Sequence, residues 1–175
     1  MDIRQRLSLC VTMVSHPNYD AAQALLDDAK RRGLRVATAE SCTGGLIAAT
    51  LAAVPGASAV LERGFVTYSN DAKTDMLGVP SVLIAQHGAV SREVALAMAE
   101  GALKHSRADI TVAVTGIAGP DGGSAEKPVG LVHLAVARRD GVLLHEEKRF
   151  GAIGRHDIQL QTVSEAFALM RRLMD

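Results

Sequence analysis

A serine and a cysteine, Ser41 and Cys42, stand side by side where the pattern predicts a sharp turn from a strand into a helix. An extended apolar lead-in precedes them, and two glycines and an Ala/Leu/Ile-rich run follow. Such a turn presents a side chain beside backbone amides that the helix leaves unpaired. A serine there becomes a nucleophile if a base takes its proton and amides hold the resulting oxyanion. Ser41 is the candidate nucleophile, and the candidate oxyanion donors are the amides of Thr43, Gly44 and Gly45.

Lys73 is the candidate base, because the six histidines are scattered singly and none belongs to this pattern. It follows Tyr68 by five positions, across a predicted strand-to-helix junction. A lysine removed from water has its pKa lowered towards neutrality, and the Tyr68 hydroxyl is available to orient or relay the proton. Three alternatives stay open on the residues alone: Ser41 only caps the helix, Cys42 is the nucleophile, or Lys73 is solvated.

Sequence motifs for nucleotide and metal binding are missing. No Gly-x-Gly-x-x-Gly follows a predicted strand, the P-loop pattern is absent, and no histidine spacing matches a metal site. The Gly/Pro-rich loop at residues 115–123 either wraps a phosphate or sugar with its amides or is a flexible crossover. We expect no bound metal and no cofactor.

Charge and hydropathy restrict the partners and the location. Nineteen basic and nineteen acidic residues cancel, and no basic stripe appears, which disfavours nucleic acid as a partner. The apolar run at residues 7–14 is too short to span a membrane, and no convincing cleavage site follows it. We expect a cytoplasmic protein with a peripheral or disordered extension at residues 1–16 and a single domain at 17–175. The expected assembly is a homo-oligomer, most simply a two-fold dimer.

Hydrophobic periodicity predicts an α/β fold, a three-layer α/β/α sandwich around a mixed sheet of about five or six strands. An Asp-Gly turn at residues 139–141 predicts an antiparallel hairpin, which makes the sheet mixed. The predicted helices are 18–32, 43–54, 70–77, 80–88, 91–106 and 154–173. Asn70 is the predicted N-cap of the third of these helices. The predicted strands are 34–39, 59–68 with a possible bulge at Gly64, 109–115, 129–138 and 142–150.

Polar residues collect at the predicted strand ends. Ligands in such folds bind beyond the carboxyl ends of the strands. Three of these ends carry residues 41–43, residues 68–70 and the pair Thr115 and Gly116. The sequence therefore predicts one pocket at this edge of the sheet.

Five segments in this order closely resemble the CinA C-terminal domain family, over roughly residues 18–173. The segments are Ala39-Glu40-Ser41-Cys42-Thr43-Gly44-Gly45, Val66-Thr67-Tyr68-Ser69-Asn70 with Lys73, His87-Gly88-Ala89-Val90-Ser91, Thr115-Gly116-Ile117-Ala118-Gly119-Pro120 and Lys127-Pro128-Val129-Gly130. Two positions depart from the family pattern: Arg63 stands where glycine is usual, and Leu131 where threonine is common.

The resemblance implies an amidohydrolase that deamidates nicotinamide mononucleotide to nicotinate mononucleotide and ammonia, a step of pyridine nucleotide recycling. It implies Ser41 as nucleophile, Lys73 as base and Tyr68 assisting. The pocket it implies includes Thr43, Gly44, Gly45, Asn70, Thr115, Gly116 and, as a phosphate contact, Arg155. The alternative function is a non-catalytic nucleotide-sensing or interaction domain linked to competence or DNA damage, which would use the same pocket without an activated serine.

Overall fold

The computed structural model describes residues 17–174, so the predicted extension at residues 1–16 lies outside the described residues. The helices are α1 (Tyr19–Arg31), α2 (Leu46–Ala52), α3 (Asn70–Leu77), α4 (Ser81–His87), α5 (Arg92–Lys104) and α6 (Arg155–Arg172). The strands are β1 (Val36–Glu40), β2 (Leu61–Val66), β3 (Ile110–Gly116), β4 (Leu131–Arg138) and β5 (Leu143–Arg149). A short 3-10 helix, Ala57–Ala59, precedes β2.

The five strands form one mixed sheet in the order β2-β1-β3-β4-β5. Strand β1 is parallel to both β2 and β3, whereas β4 is antiparallel to β3 and to β5. The predicted α/β class and the antiparallel hairpin are confirmed. Because β1, β2 and β3 are parallel, their carboxyl ends lie at the same end of the sheet.

The bulge expected at Gly64 lies elsewhere. Val36 pairs with Leu61 and Ala37 with Arg63, so Glu62 is the extra residue of β2, while Gly64 pairs regularly with Thr38. Gly64 serves packing instead, because a Cβ there would approach Ala48 Cβ and Thr38 Oγ1 to 3.0 Å. The glycine lets α2 lie close to the sheet.

Two apolar clusters pack the two faces of the sheet. Helices α1, α2 and α6 cover branched side chains such as Val112 and Val114, and helices α3, α4 and α5 cover small ones such as Ala113 and Ala135. The alternation along β3 sends Val and Ala to opposite faces because successive strand residues point in opposite directions. The predicted inner face of α6 is buried throughout: Ile158, Thr162, Val163, Ala166, Phe167, Leu169, Met170 and Leu173.

Serine caps fix the starts of two helices near the site. Ser69 Oγ accepts from the Ala72 amide, so Ser69, rather than Asn70, is the N-cap of α3, and Asn70 is its first residue. Ser91 Oγ accepts from the Val94 amide at the start of α5. Such a cap satisfies an amide that the helix cannot pair. None of the helices between residues 17 and 174 is long and apolar enough to cross a membrane.

Candidate active site

Ser41 follows directly on the buried strand β1, in a turn that leads to α2. Its amide donates to Val114 O at 3.1 Å, which ties the turn to the neighbouring strand β3. The chain then reverses through Gly44 and Gly45, with φ of 60° and 102°. Residues other than glycine rarely adopt these backbone angles. The two glycines therefore make the sharp turn that the sequence predicts.

Lys73 lies directly beside Ser41. Its Nζ is 3.0 Å from Ser41 Oγ, and it donates to the carbonyl oxygen of Thr67 at 2.9 Å. The Ser69 carbonyl oxygen lies farther away, at 3.5 Å. The lysine is only 1% exposed, and within residues 17–174 it forms no ion pair with a carboxylate. Burial without a carboxylate partner lowers the pKa of Lys73 below its ordinary value.

The surroundings of Lys73 accommodate both protonation states of the amine. Protonated, Nζ has three donors for the Ser41 hydroxyl oxygen and the carbonyls of Thr67 and Ser69. Neutral, Nζ keeps two donors for the carbonyls, and its lone pair can accept the Ser41 hydroxyl proton. This is the arrangement that a serine nucleophile with a lysine base requires.

Cys42 is poorly suited to the role of nucleophile. Its side chain is 5% exposed, and burial raises the pKa of the thiol to about 12. A thiol with that pKa is almost entirely protonated at neutral pH, and the thiolate is the reactive form. Of the two neighbouring candidates, the geometry favours Ser41.

Seven of the ten predicted site residues line one open pocket of about 200 Å³. They are Ser41, Tyr68, Asn70, Lys73, Thr115, Gly116 and Arg155. Four further residues complete the lining, namely Cys42, Ala89, Val90 and Ala118. The predicted convergence of strand ends is thus present in the structure.

Ala89 and Val90 were not assigned to the site from the sequence, although they belong to one of the recognised segments. Thr115 Oγ1 donates to Ala89 O at 2.8 Å, which fastens the connection between α4 and α5 to the end of β3. Small apolar residues in a loop have no reactive group that would mark them as functional. Only their place in that segment could have indicated them.

Tyr68 stands at the mouth of the pocket. Its side chain is 58% exposed, and its hydroxyl accepts from Arg155 Nη2 at 2.6 Å. Arg155 Nη1 also donates to Gly119 O at 2.8 Å. Among the described residues, no hydrogen bond joins the Tyr68 hydroxyl to Ser41 or Lys73. Because Ser41 and Lys73 touch directly, the proton needs no relay through Tyr68.

The other three predicted residues do not line the pocket. Thr43 Oγ1 donates to Glu40 Oε2 at 2.6 Å, the Gly45 amide donates to the same oxygen at 3.2 Å, and the Gly44 amide donates to Ser41 O at 3.1 Å. The turn itself uses these donors. Gly44 and Gly45 therefore shape the turn but do not offer free amides to an oxyanion.

Glu40 is a residue of this region whose role the sequence pattern does not reveal. It is fully buried behind Ser41, and its carboxylate accepts five hydrogen bonds. Most of its partners are backbone amides up to eight positions later in the chain, at the start of α2. Backbone amides leave no signature in a sequence, so only the three-dimensional turn reveals the cluster.

None of the histidines in residues 17–174 lines this pocket. His133 and His145, on neighbouring strands β4 and β5, stack on each other with Nδ1 and Nε2 3.0 Å apart. Over residues 17–174, no group of three or more His, Cys, Asp or Glu side chains is arranged to hold a metal ion.

Comparison with known proteins agrees with the fold and with the family resemblance. The family model of the CinA C-terminal domain matches residues 18–174. A CinA-like protein of Citrifermentans bemidjiense is 56% identical over 135 residues, which is 77% of this chain and 32% of that protein. This chain spans about a third of the length of the curated relatives it matches.

Two crystal structures match over almost their whole chains. The competence/damage-inducible protein CihA of Agrobacterium tumefaciens superposes with a TM-score of 0.90 at 57% identity, covering 91% of this chain and 96% of that one. A CinA-superfamily protein of Klebsiella pneumoniae superposes with a TM-score of 0.85 at 34% identity, covering 90% and 97%. The mixed open sheet is thus shared with these proteins.

Proposed function

We propose that this chain, which belongs to the CinA C-terminal domain family, is an amidohydrolase that converts nicotinamide mononucleotide and water to nicotinate mononucleotide and ammonia. One observation carries the proposal: a buried lysine without a carboxylate partner lies 3.0 Å from a serine hydroxyl at the wall of a pocket. Such a pair is suited to attack on a carboxamide carbon.

Acylation begins with the neutral Lys73 side chain. Its Nζ takes the proton from Ser41 Oγ while Oγ forms a bond to the carboxamide carbon, and the carbonyl oxygen becomes an oxyanion. Collapse of this intermediate breaks the C–N bond. The protonated Lys73 gives its proton to the leaving nitrogen, so ammonia departs and an ester to Ser41 remains.

Deacylation repeats the proton transfers with water. Lys73, neutral again, takes a proton from a water molecule, whose oxygen attacks the ester carbon. The bond to Ser41 Oγ then breaks, the proton returns to Oγ, and the carboxylic acid product leaves as its carboxylate. The proton transfers of the cycle need only these two side chains, and no step is a redox step.

Arg155 is the proposed partner of the substrate phosphate. Its guanidinium stands at the pocket mouth, and two of its N–H groups bind Tyr68 and Gly119. A guanidinium carries five N–H donors, so donors remain for an anion. A negatively charged mononucleotide suits this end of the pocket better than a neutral amide.

Ammonia release by the purified protein, without added metal, tests the proposal. We expect release from nicotinamide mononucleotide, formation of nicotinate mononucleotide in equal amount, and much slower release from free nicotinamide, which has no phosphate for Arg155. Binding of the nucleotide without turnover would refute the proposed enzymatic activity and favour the nucleotide-sensing domain. Turnover of only a different small amide would support amide hydrolysis but refute nicotinamide mononucleotide as the substrate.

A further inference from the structure

Glu40 organises the turn that carries the nucleophile. Its Oε2 accepts from Thr43 Oγ1 at 2.6 Å, from the Gly45 amide at 3.2 Å and from the Ile47 amide at 2.9 Å. Its Oε1 accepts from Thr38 Oγ1 at 3.0 Å and from the Ala48 amide at 2.9 Å. Five hydrogen bonds to one fully buried carboxylate fix the chain on both sides of Ser41.

This arrangement leaves few amides near Ser41 available to a substrate. The amides of Gly45, Ile47 and Ala48 point to Glu40, the Gly44 amide donates to Ser41 O, and the Ser41 amide donates to Val114 O. In the stretch from Ser41 to Ala48, the amides of Cys42 and Thr43 alone make no hydrogen bond to another residue within residues 17–174, and the Cys42 amide interacts only with its own thiol.

Of these two residues, only Cys42 lines the pocket; Thr43 is buried behind it, with its hydroxyl on Glu40. The residue directly after a nucleophile stands next to the atom where the oxyanion forms. An amide that is held rigidly and spends no hydrogen bond on another residue stabilises such charge without having to reorganise.

We propose that Glu40 is the positioning residue of this turn, and that it leaves the Cys42 amide to bind the oxyanion formed when Ser41 attacks. The substrate in this inference is taken from the proposed amide hydrolysis, whereas the contacts of Glu40 do not depend on that proposal. It replaces Gly44 and Gly45 as oxyanion donors, and it gives Thr43 a role in holding the turn instead of the substrate.

Two variants of Thr43 and one of Glu40 test the positioning role. Thr43→Val removes one donor to Glu40 at nearly constant shape, Thr43→Ser retains it, and Glu40→Gln replaces an accepting oxygen by an NH₂ group. We expect kcat for ammonia release to fall roughly 10- to 100-fold in Thr43→Val and further in Glu40→Gln. In both variants KM should stay within about twofold of the wild-type value. Thr43→Ser should keep most of the rate.

A purely structural role gives a different result. Thr43→Val and Glu40→Gln would then lower the melting temperature, yet the folded enzyme would retain wild-type kcat well below that temperature. That outcome would overturn the proposal. Thr43→Val covers the case in which Glu40→Gln does not fold.

The role of the Cys42 amide is tested by replacing the amide itself. Introducing lactate at position 42 by nonsense suppression gives an ester in place of the N–H, and Cys42→Ala is the matched variant with the amide intact. We expect the ester to react on the order of 10²-fold more slowly than Cys42→Ala. Equal rates would exclude this amide as the donor.

Inactivation by a fluorophosphonate separates this inference from the choice of substrate. Ser41 Oγ attacks phosphorus, fluoride leaves, and the rate depends on the same oxyanion donor. If the wild type is labelled at Ser41 but releases no ammonia from nicotinamide mononucleotide, the proposed substrate is wrong. The inactivation rates of the Thr43 and Glu40 variants would then still test the positioning role of Glu40. No labelling at Ser41 would overturn both.

Discussion

At the scale of single residues, the buried lysine is the feature that demands a function. Removing an amine from water without a carboxylate partner destabilises its charged form. Lys73 is nevertheless 1% exposed, with a serine hydroxyl and two carbonyls as its hydrogen-bond partners. A neutral, accepting amine is what a serine nucleophile needs, so the proposed catalytic role would account for the unfavourable burial.

The lowered pKa of Lys73 predicts how activity depends on pH. Below that pKa the side chain is protonated and cannot accept the Ser41 proton, so kcat/KM falls as pH falls and rises to a plateau above it. The limb should lie below 10.5, the ordinary lysine value, because burial lowers the pKa of Lys73. A pH–rate profile over the stable range checks this. A limb at about 10.5 would mean that Lys73 is not the desolvated base.

Cys42 provides a second test at this scale. Burial raises the pKa of its thiol to about 12, so little thiolate exists at neutral pH. We expect Cys42→Ala to keep ammonia release within about tenfold of wild type, because it retains the backbone amide and loses only the thiol. Loss of activity on the scale of a missing nucleophile would move that role from Ser41 to Cys42.

At the scale of elements, the position of Lys73 depends on how α3 packs against α5. Gly101 of α5 lies against the end of α3, where an added Cβ would come within 2.1 Å of Leu77 O. Alanine normally stabilises a helix interior relative to glycine. Here the backbone of α3, which carries Lys73, would have to shift.

Gly101→Ala should therefore destabilise the protein, by about 1–3 kcal/mol, and lower the melting temperature by several degrees. It should also reduce kcat, since the shift would disturb the 3.0 Å contact between Lys73 and Ser41. Glu100→Ala, an exposed change on the same helix, is the control and should leave both quantities nearly unchanged. Wild-type stability in Gly101→Ala would contradict this account of the packing.

Prediction from sequence succeeded at this scale where local pattern decides the structure. Hydrophobic periodicity and the Asp-Gly turn gave the helices, the five strands and the hairpin. It failed for the bulge, which lies at Glu62, and for the cap of α3, which is Ser69. Both depend on how a segment meets its neighbours, which periodicity does not report.

At the scale of the whole molecule, the pocket is an assembly of segments distant in the chain. Arg155 at the start of α6 binds Tyr68 beyond β2 and Gly119 in the loop after β3. The sequence predicted that strand ends would meet here, because parallel strands share an edge. It did not show that Glu40 uses the donors around the turn, because amide directions follow from the folded backbone. The single domain and the two-fold dimer stay predictions.

Arg155→Lys tests the proposed phosphate contact. A lysine keeps the positive charge but cannot bind Tyr68, Gly119 and an anion with one planar group. We expect KM for nicotinamide mononucleotide to rise roughly 10- to 100-fold, as for a lost hydrogen bond to a charged group, with a smaller change in kcat. Steady-state kinetics decide this. An unchanged KM would remove Arg155 from the binding site.

The most direct test of the central claim compares ammonia release from nicotinamide mononucleotide by the wild type and by Ser41→Ala, with a metal chelator present in both assays. We expect the wild type to release ammonia without metal, and we expect the rate of Ser41→Ala to be lower by on the order of 10³-fold or more. Matching melting temperatures would exclude unfolding as the cause. Wild-type turnover by Ser41→Ala would contradict the claim that Ser41, activated by Lys73, is the nucleophile.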